Sequence, residues 1–168
     1  MPIQKLAWKF LVIGSKGSGK SSFISFMVYG EMAPGIPRSM IKKTVTREID
    51  GKRYSVDILF QEADEDAGKV MGTATGMIVI IDLTNPESLG FAEKVIARAY
   101  EMNKINVYIV GNKTDLKYEA QIWKEDLEKL SKRFGSKFYM VSCKDGTGFD
   151  GILDDMVDKI ISRNVLRK

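Results

Sequence analysis

Eight residues, Gly14-Ser15-Lys16-Gly17-Ser18-Gly19-Lys20-Ser21, stand between two apolar runs, Phe10-Leu11-Val12-Ile13 and Phe23-Ile24-Ser25-Phe26-Met27-Val28. The runs read as a buried strand and a helix, and the stretch between them fits G-x-x-x-x-G-K-[ST]. In a strand–loop–helix setting this pattern cradles nucleotide phosphates. Its glycines let the backbone turn so that amide N–H groups point at anionic oxygens. The helix that follows presents its positive N-terminal end. Lys20 is placed to reach the β- and γ-phosphates, and Ser21 to complete a Mg²⁺ site that keeps several waters. Lys16, Gly17, Ser18, Gly19 and Ser22 belong to the same phosphate-binding stretch.

A second signal closes the apolar run Val107-Tyr108-Ile109-Val110-Gly111: the tetrapeptide Asn112-Lys113-Thr114-Asp115. Guanine offers N1–H and N2–H₂ side by side, two parallel donors that suit the two oxygens of one carboxylate. Adenine has an acceptor at N1 and would face the same carboxylate with a lone pair, leaving a polar group unpaired. Asp115 is therefore the candidate for guanine readout. The Lys113 stem is expected to lie over the base, and Asn112 to pin this loop to the phosphate loop. A third signal is Ser142-Cys143-Lys144, reached from the short apolar strand Lys137-Phe138-Tyr139-Met140-Val141.

These three motifs, in this order and spacing, resemble the Ras/Rab-type small GTPases. The resemblance implies GTP and GDP as ligands, Mg²⁺ as cofactor, and a regulatory or effector protein as partner. It also adds Leu116, Ser142, Cys143 and Lys144 to the base-binding set. In the family the third motif reads S-A-K, and the backbone N–H of its middle residue meets the guanine O6. Cys143 at that position keeps the N–H and otherwise reads as a small buried hydrophobe.

The totals fit such a reading. A chain of 168 residues is long enough to bury a substantial core as one domain over 1–168. Its single cysteine excludes an internal disulfide and suits a reducing, cytoplasmic compartment. Met1-Pro2 offers no myristoylation glycine and Val165-Leu166-Arg167-Lys168 no prenylatable cysteine, so no membrane anchor is expected. A net charge of +4 is mild, and Lys42, Lys43, Arg47, Lys52 and Arg53 read as a guarded sheet edge, not a nucleic-acid surface.

Periodicity predicts strands at about residues 6–13, 43–50, 52–60, 77–83, 106–111 and 137–141. Helices are predicted at about 19–29, 87–102, 122–134 and 149–163. Asp50-Gly51 is a hairpin signal and supplies the antiparallel edge. The alternation predicts an α/β fold: a six-stranded, mostly parallel sheet with one antiparallel edge strand and helices on both faces. Trp8 and Trp123 read as packing residues.

Two regions depart from the family pattern. Phe60-Gln61-Glu62-Ala63 stands where the family has D-x-x-G. Phe60 cannot hold a metal-bound water, and Ala63 lacks the backbone freedom of glycine. A one-residue slip to Asp64 or Glu62 as the metal-side acid stays open, but such a slip turns the strand's faces over. Asp64 falls at the water-positioning place and is the catalytic candidate there, with Lys20 and Lys16. Lys16 occupies a position facing the γ-phosphate in the family. Gly68, Gly72 and Gly76 make the following segment poor helix material. In the loop of residues 30–41, Pro37 stands near the place of the family's metal-ligating threonine, so the hydroxyl comes from Ser39 or Thr44 or is missing. Met32 is expected to be an apolar lid on the base. Asp82 reads as a turn or helix-start residue. The expected activity is slow GTP hydrolysis by a molecular switch, and the competing reading is a binding module that keeps its nucleotide as a structural ligand.

Overall fold

The computed structural model describes residues 2–31, 41–63, 72–102 and 105–164. Met32, Ser39 and Asp64 lie outside the described residues. The elements are β1 (Ile3–Gly14), α1 (Lys20–Tyr29), β2 (Ile41–Ile49), β3 (Lys52–Ala63), β4 (Gly76–Asp82), α2 (Pro86–Glu101), β5 (Asn106–Asn112), α3 (Lys124–Phe134), β6 (Lys137–Met140) and α4 (Ile152–Asn164). They form one six-stranded sheet in the order β2-β3-β1-β4-β5-β6. Among the described residues only the edge pair β2–β3 is antiparallel, and every other pairing is parallel.

Alternating side chains divide the core between the two faces of this sheet. Phe10 and Val12 of β1 and Ile78 and Ile80 of β4 pack with Phe23, Ile24 and Met27 of α1 and with Met156 and Ile160 of α4. Their neighbours Leu11 and Ile13, Met77, Val79 and Ile81 point the other way, onto Ala92, Val95 and Ile96 of α2 and Leu127 and Leu130 of α3. Each fully buried large apolar side chain contributes roughly 1.5–3 kcal/mol, so both layers are strongly held. β1 and β4 are buried on both faces, and their uninterrupted apolar runs follow from that.

Strand order reverses between β1 and β4, one leading outward to β3 and the other to β5. Crevices for ligands open at the carboxyl ends of parallel strands at such a switch point. The glycine-rich loop after β1 lies at that place.

Several boundaries differ from the periodicity. β1 starts at Ile3 because its exposed first residues continue the ladder, pairing Ile3 with Arg53 and Gln4 with Tyr54. β3 runs on to Ala63, three residues past Phe60, held by the pairs Leu11–Gln61, Val12–Glu62 and Ile13–Ala63. α4 begins at Ile152 because Gly148 and Gly151, at φ 85° and 77°, hold the chain in a left-handed turn before it. Trp8 packs in the core, stacked on Phe10 at 6.3 Å between ring centroids. Trp123 does not pack: it is 59% exposed. Its backbone N–H donates to Asp126 Oδ2 at 2.8 Å, so the demands of a helix start turn the indole outward.

The basic residues of the edge are more than guards. Lys43 Nζ donates to the Val28 carbonyl at 2.9 Å. Arg47 ties β2 to α4 through Asp154 and Asp158. Among the described residues no helix is long and apolar enough to cross a membrane.

Candidate nucleotide site

The loop between β1 and α1 turns through Gly17 and Gly19, at φ 79° and 105°, a backbone that side chains rarely adopt. A Cβ on Gly19 would collide with the Asn112 side-chain amide. The N-cap of α1 is Gly19, with no side-chain cap and no acidic residue in the first turn. The first amides of a helix have no intrahelical acceptor, so this end keeps its positive character. Ser15 and Ser18 carry buried hydroxyls without a hydrogen-bond partner among the described residues. Lys20 folds its ammonium back onto the Gly14 and Ser15 carbonyls at 2.9 and 3.4 Å. Lys16 and Gly17 are exposed at the tip, and Ser22 is half-buried in the first turn of α1. A donor-rich, acid-free turn of this kind suits a phosphate chain.

Asn112, 2% exposed at the end of β5, joins the loops. Its Nδ2 donates to the Ser18 carbonyl at 2.8 Å. Its Oδ1 accepts the Lys113 N–H at 2.7 Å and the Cys143 N–H at 2.9 Å. One amide group thus pins the phosphate loop, its own loop and the Ser142–Cys143 turn together. The Cys143 N–H, expected on the base, is in this structure held by Asn112. Burial pushes the Cys143 thiol up to about 12, with the Asp115 carboxylate adding to it. That keeps it a protonated, unreactive thiol.

Asp115 is half-buried, and its Oδ1 accepts the Ser142 hydroxyl at 2.8 Å. This contact orients the carboxylate from behind. The same Ser142 oxygen accepts the Lys144 and Asp145 amides at 3.2 and 3.3 Å. Leu116 is half-buried beside Asp115, its N–H on the Lys113 carbonyl at 3.0 Å, and the Lys144 side chain is exposed. Lys113 lies at φ 75°, and its ammonium meets Asp82 Oδ2 at 2.8 Å. Burial works to raise the Asp82 carboxyl, but the Lys113 and Thr84 hydrogen bonds outweigh it and hold it below the usual carboxylate range.

On the expected metal side of the site Glu62, one of the two open candidates, meets Ser21. The Ser21 hydroxyl donates to Glu62 Oε2 at 2.9 Å. Phe60, fully buried, is in the core layer under α1. Glu62 is two residues further on the same strand, and a period of two returns it to the same face. A slip of one residue turns a strand over, but a slip of two does not, so the objection to Glu62 does not hold. Thr44 is removed from this place: it pairs with Asp57 in the ladder, its hydroxyl donates to Asp57 Oδ1 at 2.6 Å, and its neighbour Val45 takes the α1 face.

Among the described residues no three carboxylate, thiol or imidazole groups converge as a metal cage. Mg²⁺ typically takes one or two protein ligands and completes its shell from phosphates and water. The Ser21–Glu62 pair beside an anion-binding turn fits that requirement.

Sheet order, the glycine turn at the switch point and the joined loops define a P-loop nucleotide-binding fold of the small-GTPase type. The Ras family model matches residues 9–162, and the chain belongs to the Ras family as a Ras-like small GTPase. It is 26% identical to Ras-related protein Ral-B of Rattus norvegicus, over 94% of this chain and 81% of the relative. It is 26% identical to Ras-related protein ralB-A of Xenopus laevis over the same shares. A Ras-like protein of Laccaria bicolor is 27% identical over 91% of this chain and 77% of its own length.

Proposed function

We propose that this chain binds GDP and GTP with Mg²⁺ and acts in the cytoplasm as a regulatory switch that hydrolyses GTP slowly. The observation that carries the reading is Asn112, whose single side chain fixes the phosphate loop against both loops that face the base. The Asp115 carboxylate, oriented by Ser142, takes the two parallel donors of guanine and refuses adenine. The ammonium of Lys20 exchanges its carbonyl contacts for phosphate oxygens, and the amides of the turn neutralise the remaining charge. Ser21 and Glu62 would hold Mg²⁺, which supplies charge stabilisation to the phosphate chain when bound.

In hydrolysis a water oxygen bonds to the γ-phosphorus and the bond to the β–γ bridging oxygen breaks, giving GDP and inorganic phosphate. Such transfer depends on positioning and charge neutralisation more than on covalent chemistry. The described residues supply neutralisation. Positioning of the water falls to Asp64 or to a group brought by a partner protein, with Lys16 adding charge at the γ-phosphate end; turnover without a partner is therefore slow.

Phe60 favours a second reading. A residue 0% exposed in the core cannot take the metal-side role its position has in the family, and with Glu62 as the sole acid the nucleotide would be a structural ligand stabilising the fold by mass action.

Displacement of a fluorescent GDP by GTP, GDP and ATP tests the ligand class. GTP and GDP compete with it at least a hundredfold better than ATP under this proposal. Equal competition by ATP would remove the guanine assignment, and with it Asp115 as the base reader.

A further inference from the structure

Asp82 is the one buried carboxylate among the described residues, 6% exposed at the last position of β4. A buried charge persists only where it is paired and hydrogen-bonded, and this one is arranged around a single cation. Thr84 supplies both its backbone N–H and its hydroxyl to Oδ1, at 2.9 and 2.6 Å. The backbone of Asp82 is clamped as well: its N–H donates to Ser88 Oγ at 2.9 Å, and the same hydroxyl donates back to the Asp82 carbonyl at 3.0 Å. Ser88 is itself buried in the first turns of α2. The backbone of Asp82 is thus fixed by β4 and α2, and its Oδ1 by Thr84 in the turn between them. Oδ2 is left pointing at Lys113, whose ammonium it holds at 2.8 Å.

Lys113 needs such a holder. It follows the last β4–β5 pair, Asp82–Asn112, and its backbone sits at φ 75°. Its four-carbon stem has many rotamers in water and loses that freedom on binding unless something fixes it beforehand. Anchored at the backbone by Asn112 and at the ammonium by Asp82, the stem spans a fixed path from the end of β5 to the end of β4.

We propose that Asp82 is a positioning residue for base recognition, holding the Lys113 stem in place beside Asp115 before a guanine nucleotide arrives. The inference rests on the guanine-nucleotide reading and deepens it: the base platform is preorganised from β4, an element outside all three sequence motifs. A turn residue that merely caps α2 would fix Thr84 and Ser88 and have no dependence on Lys113. The two roles therefore separate in their coupling, not in the size of one effect.

The experiment is the dissociation rate of fluorescent GDP from the full chain in Mg²⁺, for wild type, Asp82→Asn, Lys113→Met and the double variant. Asparagine keeps an acceptor for Thr84 but cannot hold an ammonium; methionine keeps the stem without the charge. The expected result is release about tenfold faster in each single variant, with the double variant no faster than Lys113→Met alone. An unchanged rate in Asp82→Asn would overturn the proposal. So would an Asp82→Asn acceleration of equal size in the Lys113→Met background, since that is how a capping role behaves. Should Asp82→Asn not fold, Asp82→Glu keeps the charge and displaces it by one methylene. Its acceleration must likewise vanish beside Lys113→Met, and a wild-type rate in it overturns the idea. Wild-type chain that binds no GDP would bring down the functional reading itself, an outcome distinct from a measured but additive cycle.

Discussion

Replacing Asn112 by alanine removes three hydrogen bonds from a side chain that is 2% exposed. The Ser18 carbonyl and the Lys113 and Cys143 N–H groups lose their partner together. Each buried polar group left unpaired costs about 1–3 kcal/mol. The vacated space lies among polar groups and can admit water, which recovers part of that loss. Taking the low end for each of the three groups gives a destabilisation of about 3 kcal/mol. For a chain of this length that corresponds to a drop of about 6–12 °C in Tm, at roughly 2–4 °C per kcal/mol. Urea unfolding and thermal melts of nucleotide-stripped protein measure it directly. GDP affinity must fall too, because the loops that face phosphate and base are no longer fixed to each other. A variant within about 1 kcal/mol of wild type, with unaltered GDP affinity, would refute the argument that Asn112 joins the site.

Gly19→Ala forces a left-handed backbone on alanine and drives its Cβ into the Asn112 amide; nucleotide binding measured by fluorescent-GDP titration should be lost. Glu62→Gln keeps an acceptor for Ser21 but removes the charge, so the Mg²⁺ concentration needed to retain GDP should rise about tenfold, one decade corresponding to about 1.4 kcal/mol; release rates across a Mg²⁺ series would show no shift if Glu62 is a bystander. The Cys143 thiol, raised from its ordinary 9.0 to about 12 on folding, ionises first in the unfolded chain. Its contribution to stability is fully present below pH 9.0 and is lost as pH rises toward about 12. Urea midpoints should therefore fall less steeply with alkaline pH in Cys143→Ala than in wild type. Arg47→Ala releases β2 from α4, but Asp154 and Asp158 are largely exposed. The expected loss is only about 0.5–1 kcal/mol, and it should shrink in high salt; a larger or salt-independent loss would point to packing by the Arg47 stem.

What could be read in advance was whatever rests on local chemistry. Gly17, Gly19, Asn112 and Asp115 were legible as candidates from residue type and spacing, and the loops that carry them come together through Asn112 and Ser142. The doubly buried strands β1 and β4 announced themselves as unbroken apolar runs. Glu62 was legible as a candidate, with an objection that counting in twos from Phe60 removes: two residues on, the strand returns to the α1 face. Trp123 was misread because an indole suggests a core, whereas its exposure follows from how α3 starts. The ties of Arg47 to Asp154 and Asp158 could not be read at all, since the partners are more than a hundred residues apart. Asp82 carried a signal of the middle kind. Its D-x-T turn was visible, but that its second oxygen points at Lys113 depends on β4 and β5 ending side by side.

The most direct test is single-turnover hydrolysis of preloaded GTP in Mg²⁺, followed by chromatography of the nucleotide that stays bound. Bound GTP should convert to GDP over minutes to hours, more slowly in Lys20→Ala or Lys16→Ala protein that still retains its nucleotide. GTP that stays bound and intact over a day would contradict the switch and leave a module that holds its nucleotide without using it.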